Sequence, residues 1–133
     1  MALLEWVKAN VGRAIDVDDA YGPQCVDLVE AYLADVLHQQ RWPGNAVDFA
    51  AQVHQGWRWI PNAPANYPVV GDVVVWGQNA AVGTTAFGHC AIALAANANT
   101  LLVFGQNWPP GSPSLLKLMD YRGVLGWQHY RGG

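Results

Sequence analysis

The amino-acid sequence predicts an α+β fold in which helices come first and an antiparallel β-sheet follows. Apolar residues recur at helical spacing within residues 2–53, whereas short β-rich runs bounded by turn residues fill the rest of the chain. The chain has 133 residues, of which 52% are hydrophobic and 13% charged, a composition typical of a globular protein with its own core. We therefore expect one domain over residues 1–133, with N-terminal helices packed on the sheet.

The helical segments are predicted over 2–10 and 23–37, and a short helix follows over 45–53. Pro23 suits a first helical turn because its missing N–H is not needed there. One face of the second segment collects side chains at helical spacing: Cys25, Leu28, Val29, Tyr32, Leu33 and Val36. Cys25 thus lies at the start of a helix, on the face that packs against the rest of the protein.

The β-rich runs predict strands near 57–60, 72–76, 88–95, 100–106 and 123–130. Period-two alternation in the third strand places three side chains on one face: His89, Ala91 and Ala93. The other face receives the intervening side chains: Cys90, Ile92 and Leu94. In the fourth strand the same alternation groups Leu101, Val103, Gly105 and Asn107.

Cys25 and His89 are a candidate pair for nucleophilic catalysis. The positive end of a helix dipole favours a thiolate, and a nearby imidazole can take the proton of the thiol. Asn107, on the neighbouring strand, is the candidate to hold the second imidazole nitrogen, which completes a triad by role. The residues alone leave other roles open: a buried apolar cysteine, a structural histidine and a turn asparagine.

Four motifs of this chain resemble the CHAP domains, which are cysteine- and histidine-dependent amidohydrolases/peptidases. They are Tyr-Gly-Pro-Gln-Cys-Val-Asp-Leu-Val at 21–29, Gly-Asp-Val-Val-Val-Trp at 71–76, Gly-His-Cys-Ala-Ile-Ala at 88–93 and Gln-Asn-Trp at 106–108. The motifs occur in the family's order and at similar spacing. The resemblance implies a papain-like (NlpC/P60-like) core, with Cys25 as nucleophile and His89 as general base.

Further residues are candidates for the site. Asn107 matches a family asparagine, but Gly105 stands where similar phage lysins carry a histidine-orienting glutamate. From its position alone, Gln24 is expected to assist the nucleophile's own N–H in binding an oxyanion. Trp76 and Trp108 are expected to line the substrate cleft, because flat aromatic rings suit sugar faces and peptide backbones, and ordinary packing in the core is the alternative.

A calcium site is expected in the acidic stretch before and after the nucleophile. Residues 16–27 offer carboxylates at the first, third and twelfth positions and backbone carbonyls at the fifth and seventh: Asp16, Asp18, Asp27, Ala20 and Gly22. A true EF-hand is not expected, since Tyr21 replaces the usual glycine. Some phage CHAP domains resemble this stretch and bind Ca²⁺ there, which implies a structural ion. The alternative is a solvated acidic loop whose aspartates cap the helix.

The sequence patterns argue against a disulfide and against a zinc site. If His89 faces Cys25, alternation turns Cys90 to the other side of its strand, where it becomes a buried apolar residue. No Cys-x-x-Cys or His-Glu-x-x-His is present. The remaining histidines are expected at the surface: His38, His54 and His129.

The expected function is hydrolysis of an amide bond in bacterial peptidoglycan, as in bacteriophage endolysins. The net charge of −3 argues against a nucleic-acid partner, and no apolar run is long enough for membrane insertion. We expect a monomer. Because the N-terminus has no signal-peptide pattern, we expect the protein to be made in the host cytoplasm. A holin or a phage particle would then give it access to the cell wall. No wall-binding domain is expected within the chain. Two alternatives remain, a non-catalytic wall-binding module and a thiol peptidase acting on protein.

Overall fold

The computed structural model describes residues 2–18, 22–50, 52–78 and 86–132. Its helices are α1 (Leu3–Asn10), α2 (Cys25–Asp35) and a short 3₁₀ helix (Ala46–Ala50). Its strands are β1 (Trp57–Pro61), β2 (Val73–Trp76), β3 (His89–Ala96), β4 (Leu101–Gly105), β5 (Leu115–Met119) and β6 (Val124–Tyr130). The predicted α+β class is therefore confirmed. Across these residues no helix is both long enough and apolar enough to cross a membrane.

The six strands form one antiparallel sheet in the order β1-β6-β2-β3-β4-β5. β2 and β3 lie at its centre, where every residue of β2 is buried. Their register pairs Val73 with Ile92 and Trp76 with His89. The last residue of β2 and the first residue of β3 consequently lie side by side at the same end of the two strands.

Each face of the sheet has its own apolar cluster. The face beneath α2 is formed by Val73, Val75, Cys90, Ile92 and Phe104, which pack with Leu28 and Leu33 of the helix. The opposite face is formed by Val74, Trp76, Ala91, Ala93, Val103 and Trp127. The predicted alternation within β3 is confirmed by this division.

Two of the polar contacts of helix α2 join it to β2 and to α1. Tyr32 donates its hydroxyl proton to the carbonyl of Gly71 at 2.8 Å, just before β2. Gly71 has a φ of +93°, and a Cβ there would lie 3.1 Å from the Tyr32 hydroxyl, so glycine suits this close approach. Trp6 of α1 donates its indole N–H to Asp35 at 3.0 Å. These contacts fix the helix along its length.

Two predicted helices differ in extent from the observed ones. α2 begins at Cys25 rather than Pro23, because Gln24 has the extended conformation of an N-cap, with φ −122° and ψ 170°. The helix predicted over 45–53 is a 3₁₀ helix confined to Ala46–Ala50. At its start the carboxylate of Asp48 accepts the backbone N–H of Asn45 at 2.8 Å, which caps the beginning of the element.

Strand β5 is absent from the sequence prediction. It is the edge strand next to β4, and its leucines Leu116 and Leu118 are 50% and 67% exposed. Lys117 instead lies on the same face as the buried Met119. Apolar side chains that point to solvent hide the alternation by which strands are recognised.

One expected surface histidine has a buried partner. The Nδ1 atom of His129 lies 2.8 Å from Oδ1 of Asp72, which is 2% exposed. The other carboxylate oxygen of Asp72 accepts the N–H of Val69 at 2.9 Å. Asp72 therefore closes the turn before β2 and joins it to β6, which explains the Gly-Asp start of this motif in structural terms.

We predict that Tyr32→Phe lowers the free energy of unfolding by about 1–2 kcal/mol, because a buried carbonyl loses its donor. Urea unfolding of both proteins measures the difference. The matched control is Tyr67→Phe, at a residue 51% exposed, which should stay within about 0.5 kcal/mol of the parent. Equal losses in the two variants would show that the Tyr32 hydroxyl does not hold α2 to the sheet.

Candidate active site

The structure brings Cys25 and His89 together. Cys25 is the first residue of α2 and is half-buried, while His89 is the first residue of β3 and is 3% exposed. The side chains of Cys90 and His89 both lie beside the Cys25 thiol, and hydrogen bonding to each of them lowers its pKa. The predicted nucleophile and base are thus neighbours in the structure.

The position of Cys90 corrects a sequence expectation. Alternation turns His89 to the sheet face away from α2, and it is Cys90 that lies beneath the helix. Because α2 begins above the first residues of β3, the Cys25 sulfur reaches the side chains of both His89 and Cys90. The expectation that Cys90 points away from Cys25 is therefore wrong, although Cys90 is fully buried and both cysteines are free.

The surroundings of Cys25 favour its thiolate. The hydrogen bond from the Cys90 thiol lowers the pKa of Cys25 well below its ordinary value, and the hydrogen bond and charge of His89 act in the same direction against the opposing effect of burial. Burial and the neighbouring Cys25 raise the pKa of Cys90. The two thiols are thus shifted in opposite directions, and Cys25 is the one whose ionisation is favoured.

Gly88 explains why a glycine precedes the histidine. Its φ is +73°, and a Cβ there would lie 2.6 Å from the carbonyl oxygen of Trp76 and 2.9 Å from the Cβ of Val47. Any side chain would push the chain away from β2 at the point where His89 enters the sheet. The glycine thereby fixes the starting point of β3.

Trp76 packs against the base and does not line a cleft. Its ring centroid lies 5.1 Å from that of His89, with a tilt of 52° between the planes. Trp76 is fully buried, so no substrate reaches its ring. The expectation that Trp76 contacts substrate is corrected accordingly: the ring supports one side of the imidazole.

Gly105, rather than the side-chain oxygen of Asn107, lies opposite the second imidazole nitrogen. A Cβ at position 105 would lie 3.7 Å from Nε2 of His89. Asn107 follows the end of β4 with a left-handed φ of +66°, and its Oδ1 accepts the N–H of Gly111 at 2.7 Å. The strand alternation predicted to reach Asn107 therefore ends at Gly105. An orienting role for Asn107 stays a prediction.

Trp108, in contrast to Trp76, is half-buried and reaches a cavity. The Nζ atom of Lys117 lies 5.7 Å from the centroid of its ring. Both side chains line a cavity of about 350 Å³ on the sheet face that carries His89. Trp108 is thus placed where a ligand can touch it. Lys117 was missed by sequence reasoning because β5 itself was not recognised.

The three aspartates proposed as metal ligands converge. One carboxylate oxygen from each of Asp16, Asp18 and Asp27 lies within 4.8 Å of the others. Asp27 accepts the N–H of Gln24 at 2.8 Å through Oδ2, and its Oδ1 is buried with no donor in hydrogen-bond geometry in the described part of the chain. Gly22 is an exposed bend, and Ala20 lies outside the described residues.

This carboxylate cluster fits a hard divalent cation. Burial raises the pKa of Asp27, and the negative charges of Asp18 and Asp16 raise it further. Oxygens bound to one Ca²⁺ at about 2.4 Å can lie up to roughly 5 Å apart, which accommodates the observed cluster. A cation there would reduce the repulsion among the three carboxylates and would give the buried Oδ1 of Asp27 a partner.

Comparison with known proteins identifies the family. The family model described as CHAP domain matches residues 15–107, which include Cys25, His89 and Asn107. The chain belongs to the CHAP domain family. Its papain-like α+β fold agrees with this membership, and the resemblance drawn from the four sequence motifs is confirmed.

Two of the similar proteins are endolysins. The chain is 34% identical over 109 residues to endolysin PlyTW of Staphylococcus phage Twort, covering 77% of this chain and 23% of that protein. The crystal structure of endolysin LysIME-EF1 superposes with a TM-score of 0.84 at 28% identity, over 96% of this chain and 62% of that one. The structure of Ly7917 shares the fold, with a TM-score of 0.68 at 17% identity, over 94% of this chain and 60% of that one. The chain thus spans less than two thirds of the length of each.

We predict that Cys90→Val moves the midpoint of the pH profile for alkylation of Cys25 by iodoacetamide upward by about one pH unit, since a lost hydrogen bond to a charged group is worth about one pKa unit. Removing the donor raises the pKa of Cys25, so the variant reacts more slowly on the acidic side of its midpoint and the two rates converge in alkali. Peptide mass spectrometry reads the label on Cys25 alone. Cys90→Ser, which keeps a donor, is the control, and an unchanged midpoint in Cys90→Val would contradict the assignment.

Proposed function

We propose that this chain is the catalytic domain of a peptidoglycan hydrolase that cleaves an amide bond of the wall peptide. The observation that carries the proposal is the contact between the Cys25 thiol at the start of α2 and the imidazole of His89. The similarity to a phage endolysin supports the bacterial cell wall as the substrate. Cysteine dependence rests on the lowered pKa of Cys25 and on its position at a helix N-terminus.

The reaction proceeds in two halves. The Cys25 thiolate attacks the carbonyl carbon of the amide, and the tetrahedral intermediate collapses to a thioester as His89 gives its proton to the leaving amine. A water molecule then attacks the thioester while His89 removes a proton from that water. Cleavage of the carbon–sulfur bond releases the acid and restores the Cys25–His89 pair.

The oxyanion of each tetrahedral intermediate is bound at the beginning of α2. The N–H groups of a first helical turn have no partner within the helix, and their dipole favours negative charge. We assign the backbone N–H of Cys25 and the side-chain amide of Gln24, the half-buried N-cap residue, to this task. Asn107 is proposed to help hold the imidazole, with Trp76 supporting the ring from one side.

Substrate is proposed to bind along the sheet face that carries His89. Trp108 offers its ring to a peptide backbone or sugar face, and Lys117 supplies a positive charge beside it. The carboxylates of peptidoglycan peptides are chemically suited to this pairing. The proposed partner is therefore peptidoglycan itself, met by a monomer that is made in the host cytoplasm and reaches the wall through a holin or within a phage particle.

A structural Ca²⁺ is proposed for the acidic cluster. Asp16, Asp18 and Asp27 would hold it, with carbonyl oxygens of Ala20 and Gly22 as further ligands. The ion would keep in place the segment that leads to the nucleophile. Because its ligands are oxygens, the thiol of Cys25 is left to react.

We predict that Cys25→Ala and His89→Gln abolish release of fragments from purified Gram-positive peptidoglycan, with a loss of at least about a thousandfold. Mass spectrometry of the soluble fragments identifies the new termini and so the bond that is cut. His38→Asn, at an exposed histidine with a left-handed φ of 57°, is the control and should retain full activity.

Sedimentation of the variants with whole walls separates hydrolysis from binding. Retained binding by Cys25→Ala with lost release supports the hydrolase. If the parent chain binds walls of several types but releases nothing, it is a wall-binding module, which the absence of a carboxylate at position 105 would then explain. Cleavage of unrelated proteins but not of walls would indicate a thiol peptidase.

We predict that chelation of Ca²⁺ lowers the melting temperature by several degrees and reduces hydrolysis, because a bound ion stabilises only the folded chain. Differential scanning calorimetry and calorimetric titration with Ca²⁺ measure the two effects. Asp18→Asn should weaken binding about tenfold or more, whereas Glu5→Gln, which removes an exposed charge from α1, should not. No binding heat and an unchanged melting temperature would refute the calcium site.

A further inference from the structure

Gln106 is a fully buried polar residue for which the proposed reaction has no role. Its Oε1 accepts the backbone N–H of Ile15 at 2.8 Å. Its Nε2 donates to the carbonyl of Ile15 at 2.7 Å and to the carbonyl of Gln24 at 2.8 Å. Both amide protons and the amide oxygen are therefore used in bonds to the backbone.

These three bonds close the segment that leads to the nucleophile. Ile15 stands immediately before the acidic cluster, and Gln24 is the N-cap of α2, immediately before Cys25. The Gln24 carbonyl also accepts the N–H of Asp27 at 3.1 Å in the first turn of the helix. One side chain thus holds both ends of the segment 15–24.

Gln106 also connects this segment to the strand beside the base. It directly follows Gly105, the last residue of β4, whose position faces Nε2 of His89. The bond from Gln106 to the Gln24 carbonyl therefore joins the end of β4, next to the His89 imidazole, to the residue that precedes Cys25. No other amino acid of similar length supplies one acceptor and two donors in this geometry.

We propose that Gln106 is a positioning residue that sets the place of Cys25 relative to His89. The proposal rests on the proposed function, in which these two side chains carry the reaction. Gln106 acts through the backbone of Gln24 and touches no reacting atom. A displacement of about 1 Å between reacting groups is enough to slow an enzyme about a hundredfold, so a rigid clamp at this point has a direct effect on rate.

The chain supplies a matched control in Gln128. This residue is 1% exposed, and its Nε2 likewise donates two bonds to backbone carbonyls, those of Phe49 at 2.8 Å and Gln52 at 3.0 Å. It holds the 3₁₀ helix against the sheet, and both of these bonds lie outside the segment 15–24. Gln106→Met and Gln128→Met therefore remove comparable buried amides, one at the nucleophile and one away from it.

The experiment compares kcat and KM for wall hydrolysis, the melting temperature and the iodoacetamide rate at Cys25, all at one fixed Ca²⁺ concentration. Both variants should melt several degrees lower, since each leaves buried carbonyls without donors. Gln106→Met should lose about ten- to a hundredfold in kcat and alkylate more slowly, with KM changed less than about twofold. Gln128→Met should keep kcat and the alkylation rate of the parent.

Equal kcat losses in the two variants, or a Gln106→Met loss confined to KM, would overturn the positioning role. If the parent chain fails to hydrolyse walls, the proposed function fails, and the alkylation rates still decide the role of Gln106. If Gln106→Met does not fold, Gln106→Asn, which keeps a neutral amide but withdraws it by one methylene, replaces it in the comparison. Hydrogen exchange on the parent adds an independent measurement: the Ile15 N–H must exchange slowly, and rapid exchange would refute the clamp.

Discussion

The site depends on helix α2 and strand β3 beginning next to each other, so that the first residue of the helix lies above the first residues of the strand. Neighbouring residues of a strand point to opposite faces, so His89 and Cys90 cannot both lie beneath a helix that covers one face. A side chain at the beginning of that helix, above the first residues of the strand, can reach both His89 and Cys90. The contact of Cys25 with its two partners is therefore a property of where the elements begin, and the turn at Gly88 and the N-cap at Gln24 set those starting points.

The beginning of α2 carries an unusual concentration of negative charge. The Cys25 thiolate and the carboxylate of Asp27 lie in one helical turn, with Asp16 and Asp18 beside them. The helix dipole and the bond from Gln24 to Asp27 stabilise part of this charge. The raised pKa of Asp27 shows that repulsion and burial remain. A cation among the carboxylates would lower the cost of holding the thiolate next to them, which links a metal site to catalysis without metal chemistry.

Sequence reasoning paired Cys25 with His89, which the structure brings together, because both lie in regular elements with clear periodicity. It failed where the backbone leaves those elements, and where apolar side chains of a strand face solvent while its other face is packed. The left-handed φ of Asn107 stops the alternation that was extended to it, and β5 carries leucines on its solvent side. The burial of Trp76 depends on the side chains packed on the sheet face away from α2, and the approach of Cys25 to Cys90 depends on where the helix begins above the other face. No local sequence pattern contains either arrangement. Gln106 was passed over because a single glutamine carries no periodic signal.

The absence of a carboxylate at position 105 is best understood through the charge of the whole catalytic pair. A carboxylate facing His89 Nε2 would favour the ion pair of thiolate and imidazolium by stabilising the cation. In this chain Gly105 leaves that side without a charge, but the Cys90 thiol donates to the anion. A donor to the thiolate shifts the same proton equilibrium in the same direction. The ion pair can thus be favoured from its negative end, and a glycine beside the histidine does not by itself argue for a decayed site.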